Sequence, residues 1–175
     1  MALFSKKGID RPSLDEICAE AGVTRGAFYV HFEDRDDLLA AVMDGVGRAF
    51  LESFFGGAAG TLPIASAFAT AMQSGAYPLT KRGGVRPHQL LDACARSKAI
   101  KARYSALVED AVRRLRDGML AEQTAGAMRS DVDPQAMSML LLMMAIGAHT
   151  MLDLDLALDP PALLNALGRL LYARG

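Results

Sequence analysis

The stretch that most limits what this chain can become is SLDEICAEAGVTRGAFYVHF, residues 13–32. Leu14, Ile17, Cys18 and Ala21 recur at three- and four-residue spacing, which puts them on one face of a helix. Ser13 is a good N-cap, and Glu16 three residues later completes a capping box. Gly22 ends that helix, because glycine enters the left-handed region without a steric penalty. Thr24 caps a second, short helix that ends near Val30. Small Ala21 lets the two helices approach, Val23 plugs the angle between them, and Phe28 and Phe32 anchor the second helix from behind. Thr24, Arg25, Gly26, Ala27 and Tyr29 are left facing outward.

The rest of the chain reads as helix too. Of 175 residues, 51% are apolar, so a substantial core is available and global disorder is excluded. Ala, Leu, Met, Arg and Glu dominate, and alternating strand formers are nearly absent. A third helix begins around Asp34, where Glu33, Asp34, Asp36 and Asp37 suit the positive end of a helix dipole. Gly56, Gly57 and Gly60 mark a break. Further helices are expected at about 63–74, 87–96, 98–122, 134–156 and 160–173, with 75–86 as a mobile loop. Asp133-Pro134 and Asp159-Pro160 each pair an N-cap with a proline at the first helical position. The expectation is an all-α chain with a small module over 1–45 and a larger bundle over 46–175.

Several functional classes are disfavoured. Cys18 and Cys94 suggest neither a disulfide framework nor a metal site. His31, His88 and His149 are far apart in sequence, and no GxSxG, P-loop, Cys-His or HExxH pattern occurs. No enzyme, cofactor or metal is therefore expected. The apolar run Met137–Met151 is short of the roughly 20 residues of a membrane span, so it reads as a buried helix with no membrane partner. Reduced thiols and MALFSKKG, which is no signal peptide, fit a cytoplasmic protein.

The stretch SLDEICAEAGVTRGAFYVHFEDRDDLL, residues 13–39, resembles the DNA-binding domain of the tetracycline-repressor (TetR) family. The residues that carry the resemblance are Leu14, Ile17, the Ala21-Gly22-Val23-Thr24 turn, Gly26, Tyr29, His31, Phe32 and Arg35. The resemblance implies a helix-turn-helix reader followed by a helical domain that binds a small molecule and dimerises through its last two helices. It brings Arg25, Gly26 and Ala27 to base edges and Thr24, Tyr29, His31 and Arg35 to phosphates, with Ser13 counted in the same DNA-binding set. The chemistry agrees, since hydroxyl, imidazole and guanidinium donate to phosphate oxygens and arginine bonds guanine bidentately.

Two features depart from the family pattern. Only Ala2, Leu3 and Phe4 after Met1 correspond to the end of the family's first helix. Either the native start lies upstream or the domain is reduced, and Ile17, Val23, Phe28 and Phe32 are expected to lose cover. Residues 1–50 also hold six Lys/Arg against nine Asp/Glu, a net of −3 that opposes non-specific DNA affinity.

The C-terminal part suggests the remaining assignments. Helix 134–156 is apolar nearly all round and must bury two faces. Met144, Gly147, Ala148 and Met151 on it, with the Leu163, Leu167, Leu170 and Leu171 stripe of the last helix, form the expected homodimer interface. Flexible thioethers suit an adaptable pocket, so Phe68, Met72, Tyr104, Leu107, Met119 and Met143 are candidate effector-pocket residues, with His149 as a polar anchor. The expected partners are a palindromic DNA operator, an unidentified small apolar or amphipathic effector and a second copy of the chain. The leading reading is a repressor released by that effector. The alternative is a dimeric helical ligand-binding protein whose DNA binding is impaired or lost.

Overall fold

The computed structural model describes the backbone of residues 3–4, 12–55, 66 and 87–172, and their side chains except at 46–55, 87–88, 149, 152 and 153. Among the described residues there is no strand. The helices are α1 (Leu14–Ala21), α2 (Arg25–His31), α3 (Arg35–Phe55), α4 (Pro87–Arg96), α5 (Lys98–Thr124), α6 (Pro134–Asp153) and α7 (Pro160–Leu171). The helix expected at 63–74 and the loop at 75–86 lie outside the described residues, apart from helical Ser66.

Local chemistry sets the helix ends. Ser13 accepts from the Glu16 amide at 3.2 Å while Glu16 accepts from the Ser13 amide at 2.8 Å, the reciprocal capping box of α1. Asp34 Oδ1 accepts from the Asp37 amide at 2.8 Å, and Asp37 Oδ2 returns a bond from the Glu33 amide at 3.2 Å, which fixes the start of α3. Asp133 and Asp159 cap α6 and α7 through the Ala136 and Ala162 amides at 2.9 and 3.0 Å, each with proline at the first helical position.

The chain divides into two compact units. The first is Met1–Ala49 with Pro78–Leu107, and the second is Phe50–Tyr77 with Val108–Gly175. These units cut the chain differently from the expected 1–45 and 46–175. The reason is apolar burial: Phe4, Leu39 and Met43 form one core cluster with Leu90, Ala93 and Ile100, against which Ile17, Leu38, Val42, Cys94 and Tyr104 pack. Ile17 therefore keeps cover, Phe28 is only 5% exposed and Phe32 is half-buried, contrary to the expected loss, whereas Val23 is left 45% exposed, in line with it.

The second unit has its own core of Leu115, Met119, Met128, Leu141, Leu167 and Leu171. Its α5–α6 loop is held by polar bonds. Gln123 Nε2 donates to the Arg129 and Val132 carbonyls at 2.7 and 2.8 Å, and the Arg129 amide donates to the Leu171 carbonyl at 3.0 Å. One glutamine thus ties two points of the loop, the second of them part-buried.

Candidate nucleic-acid interface

The α1–α2 corner is closed by backbone. Gly22 adopts φ +68°, and the Gly22 and Val23 amides donate to the Ala19 and Cys18 carbonyls at 3.2 and 3.0 Å. That is a left-handed helix stop with its carbonyls satisfied. Val23, expected to plug the angle, is 45% exposed and so only partly covered there.

Helix α2 is anchored on one side only. Thr24 accepts from the Ala27 amide at 3.1 Å. Phe28 is buried, with its ring centroid 5.3 Å from that of Phe32. Arg25, Gly26, Ala27, Tyr29 and His31 are all exposed. Among the described residues a Cβ built on Gly26 would meet only Thr24 Oγ1, at 3.7 Å, an ordinary contact that does not require glycine there. Val30, expected only to mark the end of this helix, is 77% exposed. It follows Gly26 by four residues and so shares its face, roughly opposite Phe28. That placement was readable from helical periodicity alone.

Arg25 is held by α1. Its Nε lies 2.6 Å from Asp15 Oδ1, and a terminal guanidinium nitrogen donates to Oδ2 at 2.9 Å, with both side chains largely exposed. This is a two-point fork between residues ten apart. Ser13, exposed, spends its hydroxyl on the α1 cap. Arg35 sits at the first position of α3, and its Nε donates to the Pro12 carbonyl at 3.3 Å. The arrangement is an exposed short helix of small and donor-bearing residues on a rigid apolar base, which is what reading a groove from one side demands.

The other candidate residues fall in both units. Tyr104 and Leu107 belong to the first unit and are half-buried, whereas Met119 and Met143 belong to the second. Met119 is fully buried in its core, 3.8 Å from the Ser138 hydroxyl, and Met143 is exposed. Phe68, Met72 and the side chain of His149 lie outside the described residues. On α6, Met144, Gly147 and Met151 are exposed and Ala148 is half-buried. On α7, Leu163 and Leu170 are exposed, but Leu167 and Leu171 are core residues of their own chain. The expected four-leucine stripe is about 100° wide, so its two edges serve different surfaces. Among the described residues no three His, Cys, Asp or Glu side chains gather as a metal site, and no helix is long and apolar enough to cross a membrane.

Comparison with known proteins places this geometry. Residues 1–42 match the family of bacterial regulatory proteins, tetR family. The chain is 48% identical over 44 residues to the HTH-type transcriptional regulator AcrR of Shigella flexneri, a match covering 25% of this chain and 20% of that protein. The fold extends further. Reduced Escherichia coli NemR superposes with a TM-score of 0.75 at 14% identity, over 99% of this chain and 92% of that one. SmeT, the repressor of a Stenotrophomonas maltophilia multidrug efflux pump, superposes in its triclosan complex with a TM-score of 0.70 at 21% identity, over 99% and 88% of the two chains. The N-terminal module thus matches that family by sequence over residues 1–42, and the described helices share the fold of these solved structures.

Proposed function

We propose that this chain is a cytoplasmic transcription regulator, a repressor that holds a palindromic operator and is released by a small apolar or amphipathic effector. The observation that carries the reading is the split of α2, with Phe28 buried and Arg25, Gly26, Ala27, Tyr29 and His31 exposed together. Arg25, Gly26 and Ala27 approach base edges, and Thr24, Tyr29 and His31 approach phosphates. Two copies on a two-fold axis set two recognition helices against successive major grooves.

The bare face of α6 supports the second copy. Leu140, Met143, Met144 and Met151 are exposed large apolar residues on a helix whose opposite face already carries Leu141 and Ala145 into the core. Among the described residues nothing lies within 4 Å of a Cβ built on Gly147, which leaves room for a partner helix to approach. Leu163 and Leu170 of α7 extend the apolar surface that a partner would cover. The triclosan complex of SmeT supports a small-molecule effector. Effector binding would then favour a state whose two recognition helices no longer match the groove spacing.

The test is fluorescence anisotropy of the full chain on duplexes from the intergenic DNA beside its own coding sequence. Binding that weakens with salt and with Arg25→Ala is expected. A second reading, a dimer that binds ligand but not DNA, draws on the net −3 of residues 1–50 and on the tying of Arg25 by Asp15. A stable dimer that binds none of those duplexes at low salt would favour it.

A further inference from the structure

We infer that Asp15 is a positioning residue for Arg25, sharpening the sequence preference of α2 at the expense of general DNA affinity. The inference rests on the proposal that α2 reads DNA. A guanidinium has five N–H donors in a fixed plane, arranged as edges of paired donors. One edge combines Nε–H with an N–H of the neighbouring terminal nitrogen. Asp15 occupies that edge, at 2.6 and 2.9 Å. The other paired edge, one N–H from each terminal nitrogen, meets no acceptor among the described residues, and its donor spacing suits guanine O6 and N7. The carboxylate therefore does not compete with a guanine for the same donors. It fixes the plane in which the remaining donors lie.

The placement of the two residues makes this effective. Asp15 is in the first turn of α1, whose end is pinned by the Ser13–Glu16 capping box, so the short carboxylate arm starts from a fixed backbone. Arg25 is the first residue of α2, at the end next to the Gly22 turn, and its long side chain is otherwise exposed. Free arginine would lose rotamer freedom on engaging a base, and a pre-formed fork removes part of that loss before binding. Asp15 also carries a negative charge beside the expected duplex. It repels every phosphate backbone alike, whatever the sequence. Positioning acts on the matched site alone, whereas repulsion acts on all DNA. Discrimination and general affinity should therefore respond to Asp15 in opposite directions.

The experiment begins with duplexes enriched from a randomised pool by the wild-type full chain. Preference is then the ratio of affinities for the enriched duplex and for the same duplex with its most selective G·C pair replaced by A·T. Asp15→Asn should lower that ratio by roughly three- to thirtyfold, part of what a bidentate base contact supplies, while raising affinity for an unrelated duplex. Arg25→Lys keeps the charge but not the fork, so it should lose the preference with little change on the unrelated duplex. It keeps the proposal falsifiable if the Asp15 variant melts early. If Asp15→Asn tightens both duplexes by one factor with the ratio unchanged, Asp15 is only a like charge and the inference is overturned. An unchanged ratio in Arg25→Lys overturns it as well. If Arg25→Ala leaves the preference intact, or if the wild-type chain enriches nothing, it is the DNA-reading proposal that fails, and this inference falls with it.

Discussion

Phe28 and Tyr29, adjacent in the chain, meet edge to face with centroids 5.3 Å apart and planes at 87°, yet one is 5% exposed and the other 57%. The buried ring is the floor on which the exposed one stands. Their substitutions should separate cleanly. Phe28→Ala removes a buried aromatic and should cost about 3–5 kcal/mol in urea unfolding. Tyr29→Phe keeps the ring contact and should shift stability by no more than about 0.5 kcal/mol. It should still weaken DNA binding, since it loses a hydroxyl expected to donate to phosphate.

The caps make a second prediction. Ser13→Ala removes the side-chain half of the α1 capping box while the residue 13 amide still donates to Glu16, and should cost about 0.5–2 kcal/mol, with Asp159→Ala costing a similar amount at α7. Thermal melting checks this. Asn at either position should recover most of the loss, because its side-chain oxygen also accepts from an amide.

The two edges of the α7 stripe make a third. Leu167→Ala deletes a core side chain and should destabilise the chain by about 2–5 kcal/mol. Leu170→Arg, on an exposed position, should leave the fold intact but weaken association, as should Gly147→Arg. Sedimentation velocity showing an unchanged dimer in both arginine variants would remove α6 and α7 from the proposed interface.

Alkaline pH makes a fourth. Burial pushes the Cys94 thiol above its ordinary 9.0, against the opposing pull of Lys101. Burial, with Cys94 nearby, pushes the Tyr104 hydroxyl above its ordinary 10.0. Well below pH 9 both groups are neutral in both states, so stability there does not depend on them. As pH rises past 9.0 the unfolded thiol ionises while the folded one stays protonated, and stability falls until the folded group also ionises. Tyr104 repeats this from pH 10.0 upward. Denaturant midpoints should therefore decline above pH 9 in the wild type, and less steeply in Cys94→Ser and in Tyr104→Phe.

The features legible in advance are the ones written in short-range chemistry. Asp133-Pro134 and Asp159-Pro160 place helix starts to the residue, and Gly22 places a stop, because capping acts over three or four positions. The exposed set on α2 was equally readable once Phe28 was taken as its inner side. What escaped depends on groups brought together from a distance. Nothing local says that Leu90, Ala93 and Ile100 bury Phe4, which is why residues 78–107 join the N-terminal unit. Nothing in a ten-residue separation says that Asp15 grips Arg25. The α7 stripe was recognised but not divided, since periodicity locates an apolar face without saying how many surfaces share it.

The open space beside Gly26 sets stability against function at a single atom. The fold would accept a methyl group there, 3.7 Å from its nearest neighbour, and helical glycine gives up as much as about 1 kcal/mol relative to alanine. Gly26→Ala should therefore yield a sturdier protein. If the missing methyl is clearance for a groove floor, that sturdier protein should also be a poorer reader. Selecting variants for heat resistance alone would then erode recognition from this position outward, before any residue of either core had changed.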